Sequence, residues 1–244
     1  MTDKYKIAGH IIQIESIYED VHVYCRDYVC DAASAAEIFI RTDADDIAYE
    51  RNKSARENEL EGTEVIEYSD GYLEELAVYR KLAEKILEYN TFLFHGSAIA
   101  VDNEAYLFTA KSGTGKSTHA RLWREYLGSR AVMVNDDKPL IHIENGKAFV
   151  YGTPYNGKHR LGSNICVPLK AIAVLERGQT NSISRAERSA VYPLLLQQTY
   201  RPSDRSGIIK TLDLLNEMTH SVELYILRCN MEPDAARVSY EGMK

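Results

Sequence analysis

Residues Ala110 to Ser117 read Ala-Lys-Ser-Gly-Thr-Gly-Lys-Ser and lie between the apolar run Ala105–Phe108 and a helix-period stretch from Lys116 to Leu127. No other segment restricts the fold of the chain as much. The eight residues fit the pattern Ala/Gly, four residues of any kind, then Gly-Lys-Ser/Thr, here with alanine first. A strand that turns directly into a helix aims backbone N–H groups and the positive end of the helix dipole at one point, where anionic oxygens are stabilised. Ser112, Gly113, Thr114, Gly115, Lys116, Ser117 and Thr118 are the expected phosphate-binding residues. The two glycines allow the close backbone approach. Lys116 is placed to reach the β- and γ-phosphates, and the Ser117 hydroxyl to ligate a Mg²⁺ bridging them. The expected ligands are a nucleoside triphosphate, ATP, and Mg²⁺. ATP is favoured over GTP because there is no Asn-Lys-x-Asp motif: Asn52-Lys53 is followed by Ser54-Ala55.

Downstream, the β-rich run Ala131-Val-Met-Val-Asn135 ends in Asp136-Asp137. The order strand, helix, strand over Glu104–Ala110, Lys116–Leu127 and Ala131–Asn135 predicts a parallel βαβ unit. Such a unit delivers both strand ends to one sheet edge, so the two carboxylates are expected beside the glycine loop. There, one can hold the metal ion and the other can accept the proton of an attacking hydroxyl.

The remaining pattern divides at about residue 85. Ile11–Ile14, Val21–Cys25 and Glu37–Arg41 are β-like runs that predict a small antiparallel layer. Residues 41–64 alternate charges densely, as in a solvated helix followed by a loop. Leu73, Leu76, Ala77, Ala83, Ile86 and Leu87 recur at spacings of three and four, marking an amphipathic helix from Gly71 to near Asn90. Thr91–Val101, Ala171–Glu176 and Val222–Cys229 are further strand candidates, and Ser189–Thr199 and Gly207–Thr219 further helices. The expected division is a small α+β region over 1–85, suited to substrate recognition, and a nucleotide-binding domain over 86–244. The segment Gly152–Gly162, with three glycines and Lys158, His159 and Arg160, is expected to be a mobile loop that clamps a transferring phosphate.

A net charge of −7 argues against the broad basic surface that nucleic acid requires. Cys25, Cys30, Cys166 and Cys229 form no Cys-x-x-Cys pair and are too sparse for a disulfide scaffold, so reduced thiols are expected. No apolar run approaches the roughly 20 residues of a membrane span, and nothing at the start has the form of a signal peptide. The expected setting is cytoplasmic, with neither nucleic acid nor membrane as partner.

His95-Gly96, the glycine loop and Asp136-Asp137 occur in the order and rough spacing of the catalytic domain of the HPr serine kinase/phosphorylase family, whose core is shared with the P-loop phosphoenolpyruvate carboxykinases. The resemblance spans roughly residues 90–230. Tyr151–Lys158 and Val167–Glu176 resemble the shorter HPr-kinase-like proteins. The resemblance implies an α/β fold with a P-loop core of HPr kinase/PEP carboxykinase type and a small N-terminal β-rich region. It implies Asp136 as catalytic base, with His95 beside it as its orienting residue, and Asp137 and Ser117 as metal ligands. Lys116 and Arg160 would act on the transferring phosphate. The activity implied is transfer of a phosphoryl group from ATP to a hydroxyl on a peptide, a protein serine or a small metabolite, in a protein that assembles with like copies. Where the family carries an Arg-Gly-Leu-Gly type signature, this chain has Lys158-His-Arg-Leu-Gly-Ser163. Two alternatives stay open: a non-catalytic nucleotide sensor or partner-binding module, and carboxykinase-like chemistry.

Overall fold

The structure, a computed structural model, describes residues 1–62, 66–157 and 159–244. They divide into two units, Met1–Ile86 and Leu87–Lys244. In the first, β1 (Thr2–Ile7), β2 (His10–Glu15) and β3 (Ile38–Arg41) form a sheet in that order. Every second residue is buried: Tyr5 and Ile7, Ile12 and Ile14, Ile38 and Ile40. That is the signature of a sheet with one covered face. The helices are α1 (Asp20–Tyr24), α2 (Ala44–Glu61) and α3 (Asp70–Lys85); α3 packs on α1, α2 and β3, and its Leu73, Ala77 and Leu82 are buried. A buried carboxylate ties the unit together. Glu74 accepts hydrogen bonds from the Ile17 and Tyr18 amides at 2.7 and 2.8 Å and from the Thr42 hydroxyl at 2.5 Å.

Two expectations for this unit need correction. Val21–Cys25 falls in and just after α1 and is not a strand. Val21 and Cys25 lie one helical turn apart and are fully buried, while Val23 faces solvent, so burial of one helical face overrides the β preference of valine. The layer is also mixed and not antiparallel: β1 runs antiparallel to β2, but β3 runs parallel to it.

In the second unit, β4 (Thr91–Leu93), β5 (Ser97–Val101), β6 (Glu104–Thr109), α4 (Lys116–Leu127), β7 (Ala131–Asn135), β8 (Leu140–Glu144), β9 (Lys147–Tyr151), β10 (Cys166–Arg177), β11 (Ser182–Arg185), α5 (Arg188–Gln197), α6 (Arg205–Ser221), β12 (Glu223–Cys229) and α7 (Asp234–Met243) follow in sequence. The main part of the sheet runs β7-β5-β6-β10-β12-β11. Its inner strands are buried on both faces, with alternate residues entering different cores. Ala98, Ala100, Leu107, Ile172 and Val174 pack with Val191 and Leu195 of α5 and with Leu214 and Met218 of α6. Ile99, Tyr106, Phe108, Ala173 and Leu175 pack with Ala120 and Trp123 of α4 and with Ala236 and Met243 of α7. A near-continuous apolar sequence is what such strands require. The start of β10 pairs instead with β9, and thereby joins the antiparallel run β4-β8-β9 to the main sheet.

The βαβ expectation is modified here. β6 and β7 both run antiparallel to β5, so they point the same way, but β5 lies between them. Their C-terminal ends still reach one sheet edge. The single run expected over Thr91–Val101 is two strands, with His95 and Gly96 in the break between them. None of the four cysteines forms a disulfide. Among the described residues no helix is long and apolar enough to cross a membrane.

Candidate functional site at the C-terminal edge of β6 and β7

The turn from β6 into α4 is built for backbone exposure. Gly113 and Gly115 have φ of 72° and 118°, conformations that L side chains rarely adopt, and the space where their side chains would stand is open. Gly115 is the N-cap of α4 and supplies no side-chain cap, and the first turn carries no acidic residue. The first amides of α4 therefore lack the side-chain acceptor that helix starts usually have. From the β10 side, Arg177 donates to the Gly113 carbonyl at 2.7 Å and holds the turn. Lys116 is half-buried, with its Nζ 3.4 Å from the Ala110 carbonyl. Burial lowers its pKa, against the pull of Asp137 and Asp136.

At the end of β7, Asn135 sets the two aspartates. Its Oδ1 accepts from the amides of Asp137 and Lys138 at 2.9 and 2.7 Å, and its Nδ2 donates to the Thr153 hydroxyl at 2.9 Å. The tight bend turns adjacent carboxylates into different surroundings. Asp136 is 9% exposed and accepts from the Ser97 hydroxyl at 2.7 Å. Burial raises its pKa, the Ser97 and Ser117 hydroxyls oppose that rise, and the charge of Asp137 adds to it. Asp137 is more open and pairs with His95 Nε2 at 3.2 Å. Burial opposes its ionisation, yet the His95 hydrogen bond and the charges of Lys138, His95 and Lys116 bring its pKa below the ordinary value. Two neighbouring carboxyls are thus pushed in opposite directions, an arrangement suited to two different tasks.

The structure brings Lys116, Ser117, Asp136, Asp137 and His95 together, and it seats His95 differently from the expectation. His95 pairs with Asp137, not Asp136. The reason lies in the backbone: the amides of His95 and Gly96 bond to the carbonyls of Gln198 and Asp137, which fixes the ring beside Asp137, while Ser97 two residues on takes Asp136. Ser112 is exposed on the outer part of the turn. Thr118 lies on α4 and lines cavities on both sides of the turn.

The segment after β9 is less free than expected. Thr153 is fully buried and donates to the Lys138 carbonyl at 2.9 Å, and Tyr155 and Asn156 are buried too. A Cβ at Gly152 would stand 1.9 Å from the Ser163 carbonyl oxygen, so this glycine lets two backbones touch. Polar side chains, and not the apolar anchors sought in the sequence, hold this part of the loop. Its tip is open: Arg160 is exposed at φ 48°, while its neighbours His159 and Leu161 line the cavity beside Asp136. Lys158 lies outside the described residues. Sequence reasoning missed Ser97, Asn135, Thr153 and Arg177, none of which belongs to the glycine-loop pattern.

The residues present fit a nucleotide with its magnesium ion. The turn offers an open, glycine-lined approach to uncapped amides, and the Ser117 hydroxyl and Asp137 carboxylate are hard oxygen groups of the kind that Mg²⁺ prefers and would hold it. Among the described residues no group of three or more His, Cys, Asp or Glu side chains is set to hold a metal unaided. Mg²⁺ commonly takes only one or two carboxylates and completes its shell with phosphate oxygens and water.

No family model matches the chain, and no curated protein matches it. Among solved structures, the HPr(Ser) kinase/phosphatase from Coxiella burnetii is similar over 61% of this chain and 94% of that chain, at 14% identity and a TM-score of 0.34. This is a distant structural relation only.

Proposed function

We propose that the chain is an ATP- and Mg²⁺-dependent kinase that transfers a phosphoryl group to a hydroxyl. One observation carries the reading: an uncapped helix start, a lysine and two carboxylates of opposite pKa shift meet at one sheet edge. The amides of residues 113–118 and Lys116 bind the phosphates. Ser117 and Asp137 hold the Mg²⁺, which when bound neutralises charge on the phosphate oxygens. His95 orients Asp137. Asp136, whose raised pKa makes it the better proton acceptor of the two, takes the proton of the attacking hydroxyl. A nucleotide sensor needs a metal ligand but no base, and the separately held Asp136 favours the kinase.

Binding is tested by thermal unfolding with and without ATP and Mg²⁺. At a nucleotide concentration 100 times the Kd, the folded state gains about 2.7 kcal/mol, and Lys116→Ala should lose most of that gain. A wild-type protein whose Tm does not move at millimolar nucleotide would sink the reading.

A further inference from the structure

Beside Asp136 lies a cavity of about 480 Å³, lined on the α4 side by Ser117, Arg121 and Arg124 and closed by Met133, His159 and Leu161. Resting on the kinase reading, we propose that this cavity takes the phosphoryl acceptor, and that the acceptor is a small hydroxyl compound bearing a carboxylate or a phosphate, which Arg124 binds.

In a chain of net charge −7, two arginines and a histidine collect around one cavity, and among the described residues Asp136 is the sole acidic one lining it. The two arginines differ. Arg121 is engaged by Glu125 at 2.6 Å. Arg124 is half-buried and has no carboxylate partner among the described residues. A planar guanidinium left unpaired on a cavity wall matches a bidentate anion such as a carboxylate or phosphate.

Arg124 follows Ser117 by two helical turns, about 10 Å along α4, and helical side chains lean back toward the N-terminus. Ser117 and Arg124 line one wall of the cavity, and Asp136 lines it as well. A short hydroxy acid or hydroxyalkyl phosphate offers an anionic end to Arg124 and a hydroxyl to Asp136. The nucleoside has a place elsewhere. A second cavity, about 450 Å³ on the β10 and β12 side of the turn, is walled by Leu122, Leu175 and Met231. It has the apolar surface that a base needs, and it lies on the far side of the turn from the carboxylates. In the reaction, the acceptor oxygen bonds to the terminal phosphorus as the bond from that phosphorus to the bridging oxygen breaks. The hydroxyl proton passes to Asp136 and ADP leaves.

The test uses the whole chain saturated with a non-hydrolysable ATP analogue and Mg²⁺, with calorimetry reporting that the analogue is bound. The Arg124 Nε–H signal is then followed by NMR during titration with glycerate, glycerol 3-phosphate or glycerol. Glycerate or glycerol 3-phosphate should move the signal saturably, the stronger of them telling carboxylate from phosphate, and glycerol should not. Arg124→Met should weaken binding of that anion by about tenfold or more, with the affinity for the analogue kept, and Arg124→Lys should weaken it less. The inference is overturned if neither anion moves the signal, if glycerol matches them, if the analogue alone produces the whole shift, or if Arg124→Met binds the anion as wild type does. Failure of the analogue to bind would instead remove the kinase reading, and this inference with it.

Discussion

Two pairs of aspartates stand near helix starts in this chain and are used in opposite ways. At α2, Asp43 accepts from the amides of Asp45 and Asp46 at 3.0 and 3.2 Å, and Asp46 accepts from the Asp43 amide at 3.2 Å. The start is closed by its own side chains, a capping box with aspartate in both positions. Asp46 is engaged further by Lys81 and Arg80. At α4 the N-cap is a glycine with no side-chain cap, and the nearby Asp136 and Asp137 are held by Ser97 and His95. A helix start satisfied by its own residues is structure. One left without a side-chain cap, with carboxylates positioned by third parties, keeps its capacity to bind another anion.

The largest effect expected from this difference is on the open pair. Asp136→Asn keeps shape and hydrogen-bonding reach but removes basicity, so phosphoryl transfer should fall by roughly 10²- to 10⁴-fold with little change in nucleotide affinity. Asp137→Asn should weaken both binding and turnover, because an amide oxygen is a poorer ligand for Mg²⁺ than a carboxylate. Slow ATP hydrolysis to water can stand in for transfer, measured beside calorimetric binding. If Asp136→Asn turns over ATP like wild type, with an acceptor as well as with water, Asp136 is not the base and the sensor reading moves ahead.

A smaller effect is expected from His119, in the first turn of α4. Its ring is buried against Phe108 and Trp123, with Nε2 3.0 Å from the Ser239 hydroxyl. The same hydroxyl lies 2.9 and 3.0 Å from the Ala235 and Ala236 carbonyls and accepts from the Trp123 indole at 2.7 Å. Burial lowers its pKa to about 4. In the unfolded chain the imidazole titrates near its ordinary value of 6.5. Between those values the unfolded state binds a proton that the folded state refuses, so this contribution to stability is present above pH 6.5 and is lost progressively toward pH 4. The loss should reach on the order of 3 kcal/mol. Denaturant unfolding across this range should show a shallower pH dependence for His119→Gln than for wild type. Parallel curves would place the lost stability elsewhere.

Where the sequence carried a local chemical reason, the structure followed it. Lys116–Leu127 is a helix with those bounds because the glycine turn starts it and its apolar positions share one face. Ala131–Asn135 is a strand because each face meets a core. The β8–β9 hairpin was legible too and went unread: Asn145-Gly146 has the positive φ values of 51° and 72° that the common two-residue hairpin turn requires. The pairing of His95 with Asp137 was not legible, since it depends on a strand break and on a carbonyl of Gln198 about a hundred residues away. The anchoring of Thr153 was hidden for the same reason, because its partners Asn135 and Lys138 meet it only through tertiary folding.

The smallest effect belongs to the closed pair. Asp43→Ala removes the acceptor for the amides of Asp45 and Asp46 and ends the capping box, while the chain entering α2 keeps its course. Exposed N-caps of this kind contribute about 1 kcal/mol, so unfolding in denaturant should show a loss of that size with an unchanged slope. Because α2 lies in the first unit and the glycine turn in the second, the substitution alters no residue of the turn. The Tm gain on adding ATP and Mg²⁺ should therefore equal that of wild type. This distinguishes a start that serves only its own helix from one that serves a ligand. If Asp43→Ala reduced the nucleotide-induced gain as Lys116→Ala does, the two starts would not differ in kind, and absence of a side-chain cap would no longer mark the α4 turn as the binding site.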